Sequence, residues 1–561
     1  MPQMNGAKAI AKVLKAERVK HVFSLPSGEI LPIYDELANE GINIITMRHE
    51  QAVGNAADGW ARVTRSPGVC IVPIGPGLVN LIPAIIQAYY MGSPMVAIVP
   101  CISQKLVNMD ATYDIDAQAI LGTMTKWAKR CLYPHRIGEF VQKAFEEARS
   151  GRMAPTLLEI PKDILTTPYK SEKASFSFTS SSRLERAQGD PSLVKKAVEL
   201  LSKAQRPVII AGSGVYWSGA CKKLVKVARL FSAPVACEGL AVGCIPQKHP
   251  LSIHNAIANP FLKQADVLFV IGAKLDEFLG FGRDPSFYAE DAKLIHVDVV
   301  PSVIGKNRPA QVGIVGDASA VLTQMLETAG KLARKRAAAS FAKQTRESWR
   351  QLFEVFDKDG LSSEVPIKPQ RLMKEIREFA SPDSLFVLDG GDTTAWAYLY
   401  LRANYPGQII GSQGPLQHLG AGLPISIAAK LAKPKTPVYL ITGDGSFLFN
   451  VSELDTAVRH KVPVIVIVNN DSAWGLVYHT RLLKTRSEEK AKQGTVLRED
   501  TRYDKLAESL GASGELVTQP DEIKPALERA VESGQPYVID VRVSRKYMTV
   551  LSQIFTTKHN V

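Results

Sequence analysis

The stretch PVYLITGDGSFLFNVSELDTAVRHKVPVIVIVNND, residues 437–471, decides the fold of this chain. It opens with the apolar run Val438–Thr442 and closes with a second apolar run, Val464–Val468. Between them, Val451–Arg459 carries apolar residues at helical spacing. Two short apolar runs joined through a helix are typical of parallel strands buried between helices. The stretch therefore predicts an α/β fold built on a parallel sheet.

A polar cluster follows each of these two predicted strands. Gly443-Asp444-Gly445-Ser446 comes directly after the first strand, and Asn469-Asn470-Asp471 comes after the second. Ligands of such sheets bind outside the carboxyl ends of the strands. Carboxylate and amide oxygens are ligands that Mg²⁺ prefers, and glycines let backbone N–H groups approach a diphosphate. The pattern therefore predicts a magnesium–diphosphate site at this edge of the sheet.

Short apolar runs alternate with helical patterns along the whole chain, which predicts three α/β domains, each with a central parallel sheet flanked by helices. We expect domains at residues 1–168, 188–330 and 366–545, a linker at 331–365 and a C-terminal tail at 546–561. The first and third domains look like counterparts in pattern. The predicted strands are Val19–Ser24, Ile42–Thr46, Val69–Pro73, Met95–Val99 and Thr156–Ile160, then Pro207–Ala211, Pro234–Cys237, Val267–Ile271 and Leu294–Val299, and finally Leu385–Leu388, Pro437–Thr442, Pro463–Val468 and Tyr537–Val541.

Composition excludes several classes of protein. With 561 residues, 45% of them hydrophobic and 22% charged, the chain is neither disordered nor a small disulfide scaffold. The 68 Lys and Arg exceed the 55 Asp and Glu by 13, but no nucleic-acid motif accompanies the basic segment 331–350, which we interpret as a solvated linker helix, so nucleic acid is not an expected partner. Residues 66–104 are uncharged, yet prolines and glycines break them every few residues, which argues against a membrane span and predicts a loop over Ile74–Asn80. Six scattered cysteines and a polar N-terminus favour a cytoplasmic protein.

A second motif lies in the first domain. Arg48-His49-Glu50 follows the predicted strand Ile42–Thr46, and Gly54–Arg62 continues with a helical pattern. By itself, a glutamate at this position fits the start of a solvated helix.

Taken together, these motifs resemble the thiamine-diphosphate-dependent enzymes of the acetolactate synthase, benzaldehyde lyase and 2-hydroxyacyl-CoA lyase superfamily, over almost the whole chain. The segments that agree are Phe23–Glu29, Arg48–Arg62, Gly75–Leu81, Asp389–Thr393, Gln417–Gly422, Gly443–Ser446 and Asn469–Asp471. The resemblance implies a pyrimidine-binding domain, a central Rossmann-like domain and a diphosphate-binding domain, in that order. It assigns the cofactor to Pro26, Glu50, Asn80, Gly390, Gly391, Asp392, Leu419, Gly443, Asp444, Gly445, Ser446, Asp471, Trp474 and Gly475.

The same resemblance implies the chemistry of the site. Asp444, Asp471 and the main-chain oxygen of Ala473 would bind Mg²⁺, with Asp471 standing where the family has asparagine. Glu50 would hydrogen-bond the aminopyrimidine ring and favour the tautomer that removes the thiazolium proton, and Leu419 would wedge the cofactor into its bent shape. In this family the two halves of the site meet across a subunit interface, so a homodimer or homotetramer is expected.

The branch of the family is decided by fewer residues. An acetolactate synthase-like chain is expected to carry glutamine where Tyr113 stands, and the central domain lacks the arginine of the FAD-contacting segment, so FAD is disfavoured and ADP or CoA stays open. The segment Leu279–Gly282 resembles the lyase groups. His479 is a candidate proton donor, and the predicted substrate pocket contains Glu29, Tyr113 and Trp474.

We therefore predict a lyase or carboligase acting on 2-hydroxy ketones or 2-hydroxyacyl-CoA thioesters. The alternatives are acetolactate synthase-type condensation or 2-oxo acid decarboxylation and, more remotely, a non-catalytic relative that binds the cofactor.

Overall fold

Apolar, β-branched runs form the central strands of three parallel sheets, each covered by helices on both faces. The computed structural model describes residues 3–170, 180, 185–255, 261–330, 339–412 and 414–549. Within these residues there are three six-stranded sheets and one two-stranded ribbon. The predicted α/β fold class with three domains is confirmed. The predicted domain boundaries stay predictions.

The N-terminal domain places its strands in the order β3-β2-β4-β5-β7-β6, and β1 pairs antiparallel with β8. Its strands are β1 (Gln3–Met4), β2 (His21–Ser24), β3 (Asn43–Thr46), β4 (Gly68–Ile71), β5 (Met95–Cys101), β6 (Trp127–Arg130), β7 (Pro155–Pro161) and β8 (Tyr169–Lys170). Its helices are α1 (Gly6–Ala16), α2 (Leu31–Asn39), α3 (Glu50–Thr64), α4 (Pro76–Met91), α5 (Ala117–Leu121), α6 (Ile137–Arg149) and α7 (Lys162–Thr166).

The central domain has the order β11-β10-β9-β12-β13-β14, in which the chain starts in the middle and builds outward to each edge. This is the strand order of dinucleotide-binding folds. Its strands are β9 (Pro207–Ala211), β10 (Val235–Cys237), β11 (Ser252–Asn255), β12 (Val267–Ile271), β13 (Lys293–Asp298) and β14 (Val312–Val315). Its helices are α8 (Pro191–Lys203), α9 (Ser213–Trp217), α10 (Cys221–Phe231) and α11 (Ala318–Ala329).

The C-terminal domain has the order β16-β15-β17-β18-β20-β19. The strands are β15 (Leu385–Asp389), β16 (Ile409–Gly411), β17 (Val438–Gly443), β18 (Ile465–Asn470), β19 (Ser513–Val517) and β20 (Tyr537–Arg542). The helices from the linker onward are α12 (Ala339–Asp359), α13 (Pro369–Phe379), α14 (Asp392–Tyr400), α15 (Gly422–Ala432), α16 (Asp444–Phe447), α17 (Glu453–Arg459), α18 (Gly475–Thr485), α19 (Glu488–Lys492), α20 (Tyr503–Ser509) and α21 (Ile523–Ser533).

The N-terminal and C-terminal domains pack against each other through α3 and α15. Gly59 makes the close approach possible, because a Cβ atom there would lie 2.8 Å from the Cα atom of Ile425. One turn later the buried Arg62 pairs with the buried Asp58 and donates to the carbonyl of Gly411, 2.8 Å away. The small residues of α3 therefore serve a helix contact, and its single buried cation is fully satisfied.

Three sequence expectations need correction. Helix α4 begins at Pro76, so the predicted loop over Ile74–Asn80 is mostly helical, and Pro76 suits this first position because it needs no hydrogen-bond donor there. The solvated linker helix is present as α12, but it buries Phe341 and Trp349 against the central domain, with the Trp349 and Phe261 rings 5.9 Å apart. The rest of that basic segment, residues 331–338, lies outside the described residues, as do residues 550–561 of the predicted tail.

The third correction concerns the cysteines. The sulfurs of Cys221 and Cys244 form a disulfide, whereas the scattered cysteines of the sequence favour a reducing compartment over a disulfide framework. The fold brings the start of α10 next to the loop after β10, with the two Cα atoms 4.6 Å apart. The other four cysteines are free and buried. In the described part of the chain, no helix is both long and apolar enough for a bilayer span.

Candidate active site

The predicted diphosphate residues converge at the carboxyl ends of β15, β17 and β18, which are neighbours in the third sheet. The side-chain amide of Asn469, at the end of β18, donates to the hydroxyl of Thr393 at the start of α14, 3.0 Å away. A Cβ atom on Gly443 would lie 3.2 Å from that same hydroxyl. The turns that follow the three strands are therefore in contact.

Glycines keep the centre of this cluster open. Gly390 has a φ of +103°, and a Cβ atom there would lie 3.1 Å from the backbone nitrogen of Gly443 and 3.3 Å from the hydroxyl of Ser446. A Cβ atom on Gly445 would lie 2.8 Å from the ring of Trp474. Side chains at these positions would fill the space, so the glycines leave a cradle in which backbone groups can approach a phosphate closely.

Two carboxylates lie beside the cradle, Asp444 buried and Asp471 half-buried. Asp444 is 2% exposed, and its Oδ2 atom has no hydrogen-bond partner. Burial and the charge of Asp471 raise the pKa of Asp444 well above its ordinary value. Burial and the charge of Asp392 raise the pKa of Asp471 to about 7. Buried carboxylates that oppose each other's ionisation are stabilised by a cation, and oxygen-only ligands suit Mg²⁺.

The donor set for such a cation is small. Among the described residues no group of three or more His, Cys, Asp or Glu side chains is arranged to hold a metal. The predicted ligands are two carboxylates and one main-chain oxygen, and the backbone N–H of Ala473 donates to Oδ1 of Asp471 at 3.1 Å. Mg²⁺ commonly binds through one or two carboxylates plus substrate phosphates, so these residues fit the ion when a diphosphate is present.

His479 lies beneath the cradle and is 2% exposed. Its Nδ1 atom is 2.5 Å from Oδ2 of Asp392, and its Nε2 atom is 2.8 Å from the carbonyl oxygen of Arg545. Burial lowers the pKa of His479, but the hydrogen bond and charge of Asp392 outweigh this effect and raise it. Both ring nitrogens are therefore engaged within the domain. As a proton donor to substrate, His479 would have to release one of these partners.

Glu50 stands at the first turn of α3 and is 8% exposed. The side-chain amide of Asn80, on α4, donates to its Oε2 atom at 3.0 Å. His49 caps the helix by accepting the backbone N–H of Gln51. Of the three predicted cofactor residues of this domain, Glu50 and Asn80 are thus in direct contact, while Pro26 is exposed on the loop after β2.

The segment around Leu419 connects the two cofactor-binding domains. His418 lies 3.2 Å from the side-chain nitrogen of Gln51 on α3, and the amide of Asn450 donates to the carbonyl of Gly420 at 2.8 Å. Leu419 is half-buried between these contacts. The structure therefore places the predicted wedge where the N-terminal and C-terminal domains meet.

The predicted substrate-pocket residues fall into two groups. Oε1 of Glu29 accepts the backbone N–H of Ile74 at 3.1 Å, and the Tyr113 ring lies against Gly75, so both residues border the same loop. Tyr113 is 52% exposed and has a φ of +70°. Trp474 belongs to the other domain, where its ring packs edge-on against Phe449 at 6.3 Å.

A large cavity opens at the central domain, where the sequence left ADP or CoA open, and it also borders the other two domains; apart from Gly391, its lining residues were not among the predicted site residues. Its volume is about 1210 Å³, and it reaches from the glycine turn after β9 to the diphosphate cradle. The lining includes Ser213, Gly214, Glu238, Lys274, Asp298 and Gly391. Burial raises the pKa of Glu238 to about 8, and the charge of Asp276 acts in the same direction. The strand–glycine–helix sequence at residues 207–217 was the available signal for this cavity.

Comparison with known proteins adds an independent line of evidence. Three family models match consecutive parts of the chain: "Thiamine pyrophosphate enzyme, N-terminal TPP binding domain" at residues 4–120, the central domain of the same enzymes at 194–325 and their C-terminal TPP binding domain at 389–541. Thiamine pyrophosphate is a synonym of thiamine diphosphate. Each match falls on a different one of the three sheets, although the first ends before β6 and β7 of the N-terminal sheet.

Full-length relatives point the same way. A probable acetolactate synthase large subunit of Methanocaldococcus jannaschii is 35% identical, covering 96% of this chain and 92% of the relative. A probable acetolactate synthase of Mycobacterium bovis is 32% identical, covering 96% and 95%. The acetolactate synthase isozyme 3 large subunit of Escherichia coli is 31% identical, covering 95% and 93%.

Proposed function

This chain belongs to the family of thiamine-diphosphate-dependent enzymes and is a carboligase of that family; from this premise we propose that it condenses 2-oxo acids as an acetolactate synthase does. The observation that carries the proposal is the similarity to acetolactate synthases along nearly the whole chain. It favours the alternative interpretation of the sequence over cleavage of 2-hydroxy ketones or 2-hydroxyacyl-CoA. In the simplest case, two molecules of pyruvate give one acetolactate and one carbon dioxide.

Bound thiamine diphosphate would supply a nucleophilic carbon and a sink for the electrons of the bond that breaks. Glu50 would hold and exchange a proton with the aminopyrimidine ring. Because Asn80 donates to Oε2 of Glu50, the other carboxylate oxygen, Oε1, is the atom available for that proton. Burial of Glu50 strengthens this interaction relative to water.

The C-terminal domain would anchor the diphosphate. Asp444, Asp471 and the main-chain oxygen of Ala473 would hold Mg²⁺, and the unpartnered Oδ2 of Asp444 supports this assignment. Gly390 and Gly443 would let backbone groups reach the phosphate oxygens. The remaining cradle residues assigned to the cofactor are Gly391, Asp392, Gly445, Ser446, Trp474 and Gly475.

A lyase or carboligase acting on 2-hydroxy carbonyl compounds is the second candidate function. Tyr113 favours it, since this ring stands beside Gly75 where an acetolactate synthase-like chain is expected to carry glutamine. An exposed aromatic ring at this loop would suit a larger or aromatic acyl donor better than pyruvate.

Two further features belong to the same proposal. We expect a homodimer or homotetramer in the cytoplasm, with Glu50 of one subunit serving the diphosphate site of its partner. The cavity of the central domain has room for a nucleotide, ADP or the nucleotide part of CoA, since its volume of about 1210 Å³ exceeds the range of about 300 to 1,000 Å³ that is usual for ligand sites. Glu238 and Asp298 line this cavity together with Lys274, so it offers hydrogen-bonding groups of both charge types to a nucleotide.

The test is a parallel product assay. Purified protein loaded with thiamine diphosphate and Mg²⁺ is supplied with pyruvate, an aromatic acyloin or a 2-hydroxyacyl-CoA, and products are identified by mass spectrometry, with Glu50→Ala as the inactive control. Acetolactate from pyruvate supports the proposal. Aldehyde from the acyloin or thioester, with pyruvate inert, replaces it by the lyase function. No product from any substrate supports the non-catalytic alternative.

A further inference from the structure

The short helix α17 of the C-terminal domain contacts the chain immediately before Glu50. The carboxylate of Glu453, at the start of α17, accepts the backbone N–H of Arg48 through both oxygens, at 3.0 and 3.3 Å. Arg48 is two residues before Glu50. A single carboxylate therefore spans the boundary between two domains and holds the backbone that leads into the first turn of α3.

Other residues of α17 hold the end of β3 in the same way. The guanidinium of Arg459 donates to the hydroxyl and to the carbonyl of Thr46, both at 2.8 Å. The backbone N–H of Thr46 donates to Nε2 of His460, just past the helix, at 3.2 Å. The backbone of residues 46–48 is thus bonded to the other domain at three groups: the Thr46 N–H, the Thr46 carbonyl and the Arg48 N–H.

Burying the carboxyl group of Glu453 costs folding free energy, which a merely structural contact would not require. Its side chain has no exposed surface, and the hydroxyl of Thr456 donates to Oε2 at 2.6 Å. Burial raises its pKa to about 7. A buried carboxyl group destabilises a fold unless its hydrogen bonds compensate, and here they are made to one neighbour on its own helix and to the chain that carries Glu50.

We propose that Glu453 is a positioning residue for the proposed reaction: through the Arg48 amide it sets the orientation of Glu50, and Arg459 supports it by holding Thr46. The inference rests on the function proposed above, because it needs Glu50 to exchange a proton with the cofactor. It adds a requirement on the C-terminal domain. This domain anchors the diphosphate of one site and also aligns Glu50 of its own chain, which serves the site of the partner subunit.

The first experiment needs no cofactor. Hydrogen–deuterium exchange of the cofactor-free protein is followed in fragments covering residues 46–50, for wild type and for Glu453→Ala and Glu453→Gln. We expect the Arg48 amide to exchange at least ten-fold faster in Glu453→Ala. In Glu453→Gln the amide oxygen still accepts the bond, so exchange stays within about three-fold of wild type. Unchanged exchange in Glu453→Ala overturns the proposal.

The second experiment measures the consequence for Glu50. Loss of the thiazolium proton from bound cofactor is followed by deuterium exchange and quenched NMR, with Glu50→Gln as the benchmark for full loss. We expect Glu453→Ala to slow this exchange at least ten-fold while cofactor affinity stays within about three-fold, and Glu453→Gln to restore most of the rate. A rate within two-fold of wild type in Glu453→Ala shows that Glu453 is only structural and overturns the proposal.

If Glu453→Ala does not fold, a substitution of a more exposed residue tests the proposal instead. Arg459 is 37% exposed, and Arg459→Ala is expected to slow thiazolium proton exchange two- to five-fold. Arg529→Ala removes a comparable surface arginine that pairs with Glu515 in the same domain, and it should have no effect. Equal rates in both arginine variants contradict the proposal. If Glu50→Gln itself retains the wild-type rate, the proposed function fails and the positioning role fails with it.

Discussion

The N-terminal and C-terminal domains have sheets of the same topology. Counting the six strands of each sheet in chain order, both place them second, first, third, fourth, sixth, fifth. The residues at the strand ends nevertheless differ: Glu50 and Asn80 follow strands of the first sheet, whereas Asp444, Asp471 and the glycine cradle follow strands of the third. The comparison shows that the sheet topology determines where a ligand binds. The loops after the strands determine which half of the ligand each domain binds.

The central domain adds a third sheet, with a different strand order, to this comparison. Its strand order starts in the middle of the sheet, and its large cavity lies beside the glycine turn after β9. That order places the first βα turn at the point where the strand order reverses, which is the usual site for a nucleotide. Three parallel sheets in one chain thus offer three different edges to ligands.

The largest expected effect falls on the N-terminal half of the site. Glu50→Ala should bind thiamine diphosphate and Mg²⁺ nearly as well as wild type but lose turnover by about 10³-fold or more, because a positioned acid–base group contributes about 10²- to 10⁴-fold and burial adds to it. Steady-state kinetics and cofactor titration measure the two quantities separately. Retention of wild-type turnover would remove Glu50 from the mechanism.

The matching change in the C-terminal half should act on binding instead. Asp444→Asn is expected to weaken the Mg²⁺-dependent binding of thiamine diphosphate by about 10- to 100-fold, since a metal ligand loses its charge. Asp500→Asn, which removes an exposed carboxylate paired with Arg498, serves as the control and should bind normally. Calorimetric titration with and without Mg²⁺ checks this. Equal affinities for the two variants would exclude Asp444 as a ligand.

The contact between Glu453 of the C-terminal domain and Arg48 of the N-terminal domain should depend on pH. Burial raises the pKa of Glu453 to about 7, above the ordinary value near 4.5 that it has in the unfolded chain. Its contribution to stability is therefore complete below about pH 4.5 and is lost as the pH rises through 7, by up to about 3 kcal/mol. The melting temperature of wild type minus that of Glu453→Gln should fall over this range. A flat difference would contradict the raised pKa.

The smallest effect concerns the packing of α3 on α15. Gly59→Ala should destabilise the protein by about 1–3 kcal/mol, because its Cβ atom would lie 2.8 Å from the Cα atom of Ile425, and this outweighs the better helix propensity of alanine. Gly28→Ala, with no atom within 4 Å of the added carbon, is the control. Thermal unfolding of the two variants should separate them. Equal stability would mean that the helices can move apart freely.

Sequence patterns found the inner strands of the sheets and missed most of the edges. Strands β9 and β12 were predicted to the residue, because strands covered on both faces read as continuous apolar runs. The edge strands β11, β14 and β19 carry no such run: β14 is alternately buried and more exposed, and β19 is buried only at Val517. The edge strand β16 is apolar and buried, but it is only three residues long. An edge strand is stabilised by one neighbour, which its own sequence does not reveal.

The same contrast applies to the site. Asp444 and Asp471 could be singled out because each follows a predicted strand within a polar cluster, whereas Glu50 was singled out only through the family resemblance, which also supplied the predicted roles of all three. His479 shows the limit: its sequence position suggested a proton donor, whereas the fold engages both ring nitrogens, one with Asp392 and one with the carbonyl of Arg545.

By itself, the sequence determined the α/β class, the three parallel sheets, the motifs at the strand ends and the family of the enzyme, because these depend on local hydrophobic period and on short runs of neighbouring residues. Only the tertiary structure decided which distant groups meet: Glu453 with Arg48, Gly59 with Ile425 and Cys221 with Cys244. The first two contacts join different domains, and the third joins residues 23 positions apart within the central domain. They are a hydrogen bond, a packing contact and a sulfur–sulfur bond, and no local sequence pattern encodes which residues will meet in this way.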